Sequence, residues 1–461
     1  MMHELLSCDT LAVAADRSAC HSHMMAKNSD RPIGEAQPLQ WFPPSNHEAG
    51  EKLEITGMEI PQVSHTYGVL GSKPYWMYGF EMGVNDQGVV VGNEAENSRD
   101  KDCEKTEGIL GMDLLRLGLE RGATAREALD VIVALLEEYG QLRNASALYQ
   151  SHYENSFIIM DPREIWILET AGRRYAASRV KSGVCNIGNC YTLEKDIELA
   201  SPDLEAHARE EEWLLPDEEF NFSKAYMKDF AAQTLAIPRW RRVRQLSQEK
   251  KIHDLDSLKR IFRDHYEDDP VLQPRYGASI GYLPTVCRHA LQWDMSQTAS
   301  SMIAWYQEGL GVVVREAYSQ PCCSLYLPAY PGVPIPAKMS FAEETFSEDS
   351  LWWQMDRLAK IIGIDYDRFA PDVQEKAKKI EAEIEAMASA AEKQAVGAEN
   401  AEKKQILSKV MEDSSAIAER FACEEYGRIK EELHAIGVRE LCGPRAEFLK
   451  KYAEVTKMDI L

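Results

Sequence analysis

Cys8 is the residue of this sequence with the most direct route to covalent chemistry. It stands in the Ser-Cys-Asp-Thr stretch at 7–10 and leads into the apolar run at 11–15. If the Ser7–Cys8 peptide bond is cut, one residue carries both a thiol and a free α-amino group. The amine titrates near pH ~8 and the thiol near ~8.5, so a proton passes between them at little cost. That pairing of nucleophile and base is typical of an activated nucleophile.

A structural role for Cys8 is the alternative. Free cysteines are among the most buried residue types, and Cys8 would then be a small residue at the start of an edge strand. Asp30 and Asn28 have a comparable alternative, since both suit a turn before Pro32. Asn93, which follows the apolar run at 89–92, would in the same view only end a strand.

Composition excludes several classes of function. The 461 residues carry a net charge of −23, which argues against a nucleic-acid or anionic-membrane partner. No apolar run of about 20 residues occurs, so no transmembrane segment is expected. Residues 1–7 contain an acid and lack the basic and apolar regions of a secretory signal. We therefore expect a protein of the reducing cytoplasm, with its ten cysteines free.

Histidine and cysteine spacing gives no metal motif. No CxxC pair occurs, so a zinc ribbon is not expected. His21 and His23 alternate as on a strand, but no partner motif accompanies them. The adjacent Cys322 and Cys323 are interpreted as buried packing residues rather than a redox pair. With no glycine-rich phosphate loop either, the sequence predicts neither a metal nor a cofactor.

The order of the predicted elements favours an α+β fold. Short strands are expected through about residue 93, among them 53–60, and further strands at 156–187 and 285–330. Two helices lie between the first groups, at 110–120 and 125–139, the second opened by a Thr124–Glu127 capping box. After the proline-rich link at 328–336, the composition predicts long amphipathic helices at 372–394 and 398–436. Pro371 would then occupy a first helical turn.

Three stretches together resemble the secernins and, more broadly, the C69 dipeptidases of the N-terminal-nucleophile (Ntn) hydrolases. They are the residues at 7–10, the Ala-Lys-Asn-Ser-Asp-Arg stretch at 26–31 and the segment 81–95. Weaker similarity continues to about residue 355. The resemblance implies a four-layer αββα sandwich with a C-terminal helical extension. It divides the chain into a propeptide (1–7), an Ntn-hydrolase domain (8–336) and the helical extension (337–461).

The resemblance also implies a role for six residues. Cys8 would be the nucleophile, freed by autocatalytic cleavage, and Asp30 would orient its terminal amine. Lys27 falls where related amide hydrolases carry an arginine. Asn93 would help to form the oxyanion hole, and Asn189 would contact the surroundings of the nucleophile, with Asn186 as a competitor for that role. Arg239 aligns with a distal active-site arginine.

Three hypotheses about function follow. The first is a cysteine-nucleophile dipeptidase or short-peptide peptidase that acts through a thioester. The second is a hydrolase of another linear amide, such as an N-acyl amino acid or a conjugated acyl group. The third is a secernin-like scaffold or regulatory protein without turnover. A small peptide or linear amide is the expected partner, and the C-terminal helices offer a surface for a homo-oligomer.

Overall fold

The structure is a computed structural model that describes residues 8–100, 108–228, 236–269, 285–290, 296–441 and 446–461. The leader at 1–7, expected as a propeptide, lies outside the described residues. The strands of the described residues form two large antiparallel sheets and two small two-stranded sheets.

The first sheet has six strands, and the candidate stretches lie in it over the described residues 8–10 and 26–31. Two of its neighbouring strands pair Cys8 with Ser29. In spatial order the strands are β14 (Val184–Ile187), β1 (Cys8–Val13), β2 (Met24–Pro32), β16 (Ser296–Gln307), β17 (Gly311–Tyr318) and β18 (Leu327–Ala329). Because β1 lies between β14 and β2, Cys8 does not begin an edge strand.

The second sheet has eight strands and carries Asn93. In spatial order they are β15 (Leu199–Ala200), β13 (Arg174–Arg179), β12 (Ile165–Ala171), β11 (Glu154–Met160), β10 (Val90–Glu96), β9 (Met82–Asn85), β8 (Val69–Ser72) and β3 (Leu39–Phe42). Two small two-stranded sheets pair β4 (Ser45–Asn46) with β7 (His65–Thr66) and β5 (Lys52–Ile55) with β6 (Met58–Pro61). The single strand expected at 53–60 was wrong, because Gly57 turns the chain with φ +71°.

The two sheets stack face to face. Alternate residues of the second sheet point to opposite sides, as strand geometry requires. Val90 and Ile158 join the core between the sheets, whereas Val91 and Phe157 join the core under the helices. Gly92 makes close approach possible, since a Cβ there would lie 3.0 Å from Cδ of Lys27 in the opposite sheet.

Helices cover both outer faces, which confirms the four-layer αββα sandwich. The helices α1 (Gly111–Arg121) and α2 (Ala125–Tyr139) pack on the eight-stranded sheet. The remaining helices are α3 (Leu204–Glu210), α4 (Phe222–Tyr226), α5 (Ala236–Glu249), α6 (Leu255–Phe262), α7 (Ala337–Ser340), α8 (Leu351–Ile362), α9 (Tyr366–Ala395), α10 (Asn400–Ala435) and α11 (Ala446–Thr456). Of these, α5, α6 and α8 pack on the six-stranded sheet.

The C-terminal helices are docked rather than detached. Trp352 of α8 is buried and donates a hydrogen bond from Nε1 to the carbonyl of Ala299, at 2.7 Å. The helix α9 begins at Tyr366, so Pro371 lies beyond the first turn where the sequence had placed it. No helix among the described residues combines the length and apolar character needed to cross a lipid bilayer.

Candidate active site

The thiol of Cys8 is buried at the start of β1, with only 5% of the residue exposed. Its Sγ accepts a hydrogen bond from the backbone N–H of Asp30, at 3.1 Å. Burial raises the pKa of the Cys8 thiol well above its usual value, although the nearby charge of Lys27 acts in the opposite direction. The thiol is therefore protonated at neutral pH and needs a base before it can attack.

One carboxylate oxygen of Asp30 accepts a hydrogen bond, and the other has no hydrogen-bond partner among the described residues. Oδ1 accepts from the hydroxyl of Thr298 at 2.6 Å. Oδ2 is buried and has no partner among the described residues. Since a buried carboxylate oxygen without a partner is unfavourable, this atom is suited to an ammonium group. The α-amine of Cys8 is such a group once the bond to Ser7 is cut.

Lys27 provides a permanent positive charge between the two sheets. It is fully buried, and its Nζ donates to the carbonyl of Asn93 at 2.5 Å and lies 3.5 Å from Oε1 of Glu94. Burial alone would lower the pKa of Lys27, but the surrounding acidic groups, Cys8 and Glu94 first among them, raise it overall when they are ionised. A lysine charged in this position favours the thiolate form of Cys8.

Asn93 is held by a second asparagine. Its Nδ2 donates to Oδ1 of Asn155 at 3.1 Å, which uses one of its two amide hydrogens. Asn155 is in turn fixed by Gln141, whose Oε1 accepts from Nδ2 of Asn155 at 3.2 Å. The amide of Asn93 thus has a fixed orientation and one hydrogen left to donate to a developing oxyanion.

Arg239 connects the nucleophile to Asn189. Its Nη1 donates to the carbonyl of Cys8 at 3.1 Å and to Oδ2 of Asp9 at 2.6 Å. Its Nη2 donates to Oδ1 of Asn189 at 2.7 Å. The competitor Asn186 instead exchanges hydrogen bonds with Trp240, so it fastens α5 to β14 and does not face the thiol.

Hydrogen bonds therefore join Cys8 to Asp30 and, through Arg239, to Asn189. Lys27, which contacts Asn93, acts on the thiol through its charge. The sequence also matches the family model described as Peptidase family C69, over residues 7–379. That match spans most of the chain and begins one residue before Cys8. The chain belongs to peptidase family C69.

Two solved structures of hydrolases are remotely similar to this C69 protein. A mutant conjugated bile acid hydrolase from Clostridium perfringens is 14% identical, with a TM-score of 0.39, over 70% of this chain and 92% of its own. The N-acylethanolamine-hydrolyzing acid amidase ortholog of Caenorhabditis elegans is 10% identical, with a TM-score of 0.34, over 64% and 92%.

Two buried carboxyl groups next to these residues were not singled out from the sequence. Burial raises the pKa of Asp9 to about 7, against the opposing charge of Arg239. Burial likewise raises the pKa of Glu94 to about 8, against the charge of Lys27. The hydroxyl of Thr10 donates to Oε1 of Glu94, which ties the two sheets together at this point. Burial therefore shifts the pKa values of both carboxyl groups beside the C69 site upward, toward neutral pH.

Arg288 is the site residue that the sequence analysis missed most completely. It is 2% exposed, and its backbone exchanges hydrogen bonds with Thr298, the residue whose hydroxyl contacts Asp30. Its Nε donates to the carbonyl of Ser296 at 3.0 Å, while Nη1 and Nη2 have no partner among the residues the structure describes. Burial lowers the pKa of Arg288 to about 10, and the charge of Asp30 opposes this.

A buried guanidinium with two free nitrogens is a site for an anionic group. Arginine presents paired donors that match a carboxylate in a bidentate arrangement. No local motif around Arg288 signals this, because its neighbours in space come from β2 and β16. Sequence spacing alone therefore gave no indication of it.

Proposed function

We propose that this chain is a cysteine amidohydrolase that cleaves dipeptides or short peptides through a thioester at Cys8. The observation that carries the proposal is the buried Cys8 thiol, which accepts from the N–H of Asp30, together with the unpartnered Oδ2 of the same Asp30 and the nearby charge of Lys27. A nucleophile, a carboxylate oxygen that can hold its amine base and a fixed cation are the parts that this chemistry requires.

Activation begins with removal of the leader. The Cys8 thiol attacks the carbonyl carbon of Ser7, and its proton passes to the leaving nitrogen as the C–N bond to Cys8 breaks, so that a thioester replaces the peptide bond. Water then hydrolyses that thioester and releases residues 1–7. The products are a free thiol and a free α-amine on Cys8, and the amine binds Oδ2 of Asp30.

Substrate cleavage repeats the same bond changes. The amine takes the thiol proton as Sγ bonds to the scissile carbonyl carbon, and Asn93 donates to the resulting oxyanion. Removal of one such donor typically costs ~10²–10³ in turnover. The C–N bond then breaks as the amine returns the proton to the leaving nitrogen. Water hydrolyses the thioester, which releases the acid and restores the thiol.

Arg288 supports a substrate with a free carboxylate. Its two unpartnered nitrogens are buried within electrostatic range of Asp30, and a carboxylate would accept from both. A dipeptide bears a carboxylate within a few bonds of its scissile amide, so it fits this arrangement. An N-acyl amino acid does so as well, and it is the second candidate substrate for the same reason.

The test is a substrate panel with three proteins: the wild type, Cys8→Ala and the control Cys185→Ser. Cys185 lies on β14 of the same sheet and has no part in the proposed chemistry. We expect the wild type and the control to hydrolyse dipeptides, and Cys8→Ala to be inactive. Hydrolysis retained by Cys8→Ala would overturn the mechanism. Cleavage of N-acyl amino acids in preference to dipeptides would establish the second candidate.

We also propose a reducing, cytoplasmic location. The eight cysteines in the described part of the chain are all free thiols. Such thiols persist where glutathione and thioredoxin keep them reduced.

A further inference from the structure

Four buried metal-binding side chains meet on the outer side of the six-stranded sheet. They come from three separate parts of the chain: His265 follows α6, Cys287 and His289 lie in the segment 285–290, and Cys322 lies in the 3-10 helix Pro321–Cys323. Their ligating atoms all lie within 4.8 Å of one another. We name these four residues the His2Cys2 cluster.

The spacing of the donor atoms is close to that of a tetrahedral zinc site. Nε2 of His289 lies 3.1 Å from Nε2 of His265, 3.2 Å from Sγ of Cys322 and 3.7 Å from Sγ of Cys287. Zinc bonds of ~2.0 Å to nitrogen and ~2.3 Å to sulfur in a tetrahedron imply separations of about 3.3 Å between nitrogens and about 3.6 Å between nitrogen and sulfur. Small side-chain adjustments would suffice to enclose an ion.

Side chains outside the His2Cys2 cluster already form hydrogen bonds with two of its four residues. Nδ1 of His265 lies 2.9 Å from Oε1 of Glu267, the carboxylate contact that metal-bound histidines commonly make. The hydroxyl of Tyr366 donates to Sγ of Cys322 at 3.6 Å. A surface groove lined by Asp264, Glu267 and Cys322 provides a path for a cation to the cluster.

We propose that the His2Cys2 cluster binds one structural Zn²⁺ ion. Two thiolates and two neutral imidazoles balance the charge of a divalent ion, and mixed sulfur and nitrogen ligands in a tetrahedron favour zinc. All four positions are taken by protein side chains, so no position is left for a catalytic water. No metal site was predicted from the sequence, because these four residues form no CxxC motif.

This zinc would position Arg288, which stands between two of its ligands. Cys287 and His289 fix the segment 285–290 on one side, and the backbone of Arg288 is fixed by Thr298 on the other. The consequence for substrate rests on the proposed function, whereas the metal site does not. An inactive protein that holds zinc would still establish the site.

The first test measures metal in the full-length protein, purified under reducing conditions, by elemental mass spectrometry. We expect about one zinc per chain. The variant Cys287→Ser/Cys322→Ser should lose it, and the control Cys185→Ser should retain it. A wild type that contains no metal and takes up neither Zn²⁺ nor Co²⁺ would overturn the proposal. Zinc retained in full by the double variant would do the same.

The second test needs no variant and therefore does not depend on how the variants fold. X-ray absorption at the zinc edge of the wild type should give two sulfur and two nitrogen ligands. Replacement by Co²⁺ should give the intense visible bands of a tetrahedral thiolate site. A coordination shell of oxygen ligands, or a Cys287–Cys322 disulfide under reducing conditions, would contradict the assignment.

Discussion

At the scale of single residues, the site depends on groups whose charge is set by burial. Cys8, Asp9 and Glu94 are all buried, and burial raises the pKa of each. Lys27 and Arg239 are also buried, and they place positive charge beside Glu94 and Asp9. These fixed cations favour the negative charge that would develop on sulfur and oxygen during the proposed amide cleavage.

Arg288 gives the sharpest prediction about substrate. We expect Arg288→Gln to raise KM for peptides with a free carboxylate by roughly 10- to 100-fold, because a charge-assisted contact is lost. Peptides with a C-terminal amide should change little. Steady-state kinetics with matched acid and amide substrates measures this. An equal rise in KM for the acid and amide substrates would mean that Arg288 only supports the structure.

Glu94 gives a prediction about pH. Its folded pKa of about 8 lies above the ordinary value of 4.5, so the folded state holds a proton that the unfolded state releases between these values. This stabilising contribution is complete below about pH 4.5 and is lost as the pH rises through about 8. We expect Tm to fall over that window in the wild type.

The comparison variant is Glu94→Gln, which cannot titrate. Its Tm should depend less on pH between 5 and 8 than that of the wild type, as followed by thermal unfolding in matched buffers. The exposed Glu375→Gln on α9 serves as the control, since its carboxylate pairs with Lys379 at the surface. Parallel curves for Glu94→Gln and wild type would rule out Glu94 as a source of this pH dependence.

At the scale of elements, buried ion pairs fasten the C-terminal helices to the sheet. Arg315 of β17 is fully buried and pairs with Glu385 and Glu392 of α9. Glu392 also accepts from the hydroxyl of Tyr330 at 2.8 Å. The helix is therefore joined to the layer that carries Asp30 and the residues next to it.

Removal of this arginine should be costly. We expect Arg315→Leu to destabilise the fold by about 3–5 kcal/mol, because it leaves the buried Glu392 without its cation. The control Lys379→Ala removes only an exposed pair on the same helix and should cost almost nothing. Urea unfolding of the three proteins tests this. A similar midpoint for all three would show that the helix does not depend on the buried pair.

Local signals predicted the elements better than they predicted the site. Thr124 and Gly140 bound α2 as expected, because a capping side chain and a glycine at φ +74° act within a few residues. The helix α9 began earlier than expected, since packing against the sheet compensates for a proline after its first turn. Contacts between residues far apart in the sequence, such as Arg239 with Asp9 or Arg288 with Thr298, produce no recognisable motif in the sequence.

The zinc-binding cluster is missed for the same reason. Its histidines and cysteines are spread from residue 265 to residue 322, and only the packing of α6 and the 3-10 helix against one segment brings them together. The adjacent Cys322 and Cys323 were expected to be buried, and they are. The metal-binding arrangement of Cys322 depends on partners from other elements.

At the scale of the whole molecule, the sandwich places the start of β1 where the proposed leader cleavage and the proposed catalysis would use the same groups. Cys8 lies on an interior strand of the six-stranded sheet, where its Sγ accepts from Asp30 of β2 and its carbonyl accepts from Arg239. Lys27, whose charge acts on the thiol, donates to the carbonyl of Asn93 in the second sheet. Processing of the leader and hydrolysis of a substrate would therefore require the same intact assembly of both sheets.

This common requirement gives a prediction that separates an enzyme from a scaffold. We expect the mature protein to lack residues 1–7 and to begin with a free amine on Cys8, whereas Cys8→Ala should keep its leader because no thiol attacks the Ser7 carbonyl. Asp30→Asn should be processed slowly or remain inactive once processed, since the α-amine of Cys8 then has no carboxylate to bind. Intact mass spectrometry and labelling of the terminal amine measure each form, with Cys185→Ser as a processed control. A wild type that retains Met1 and has an unreactive Cys8 thiol would mean that this C69 fold serves as a scaffold.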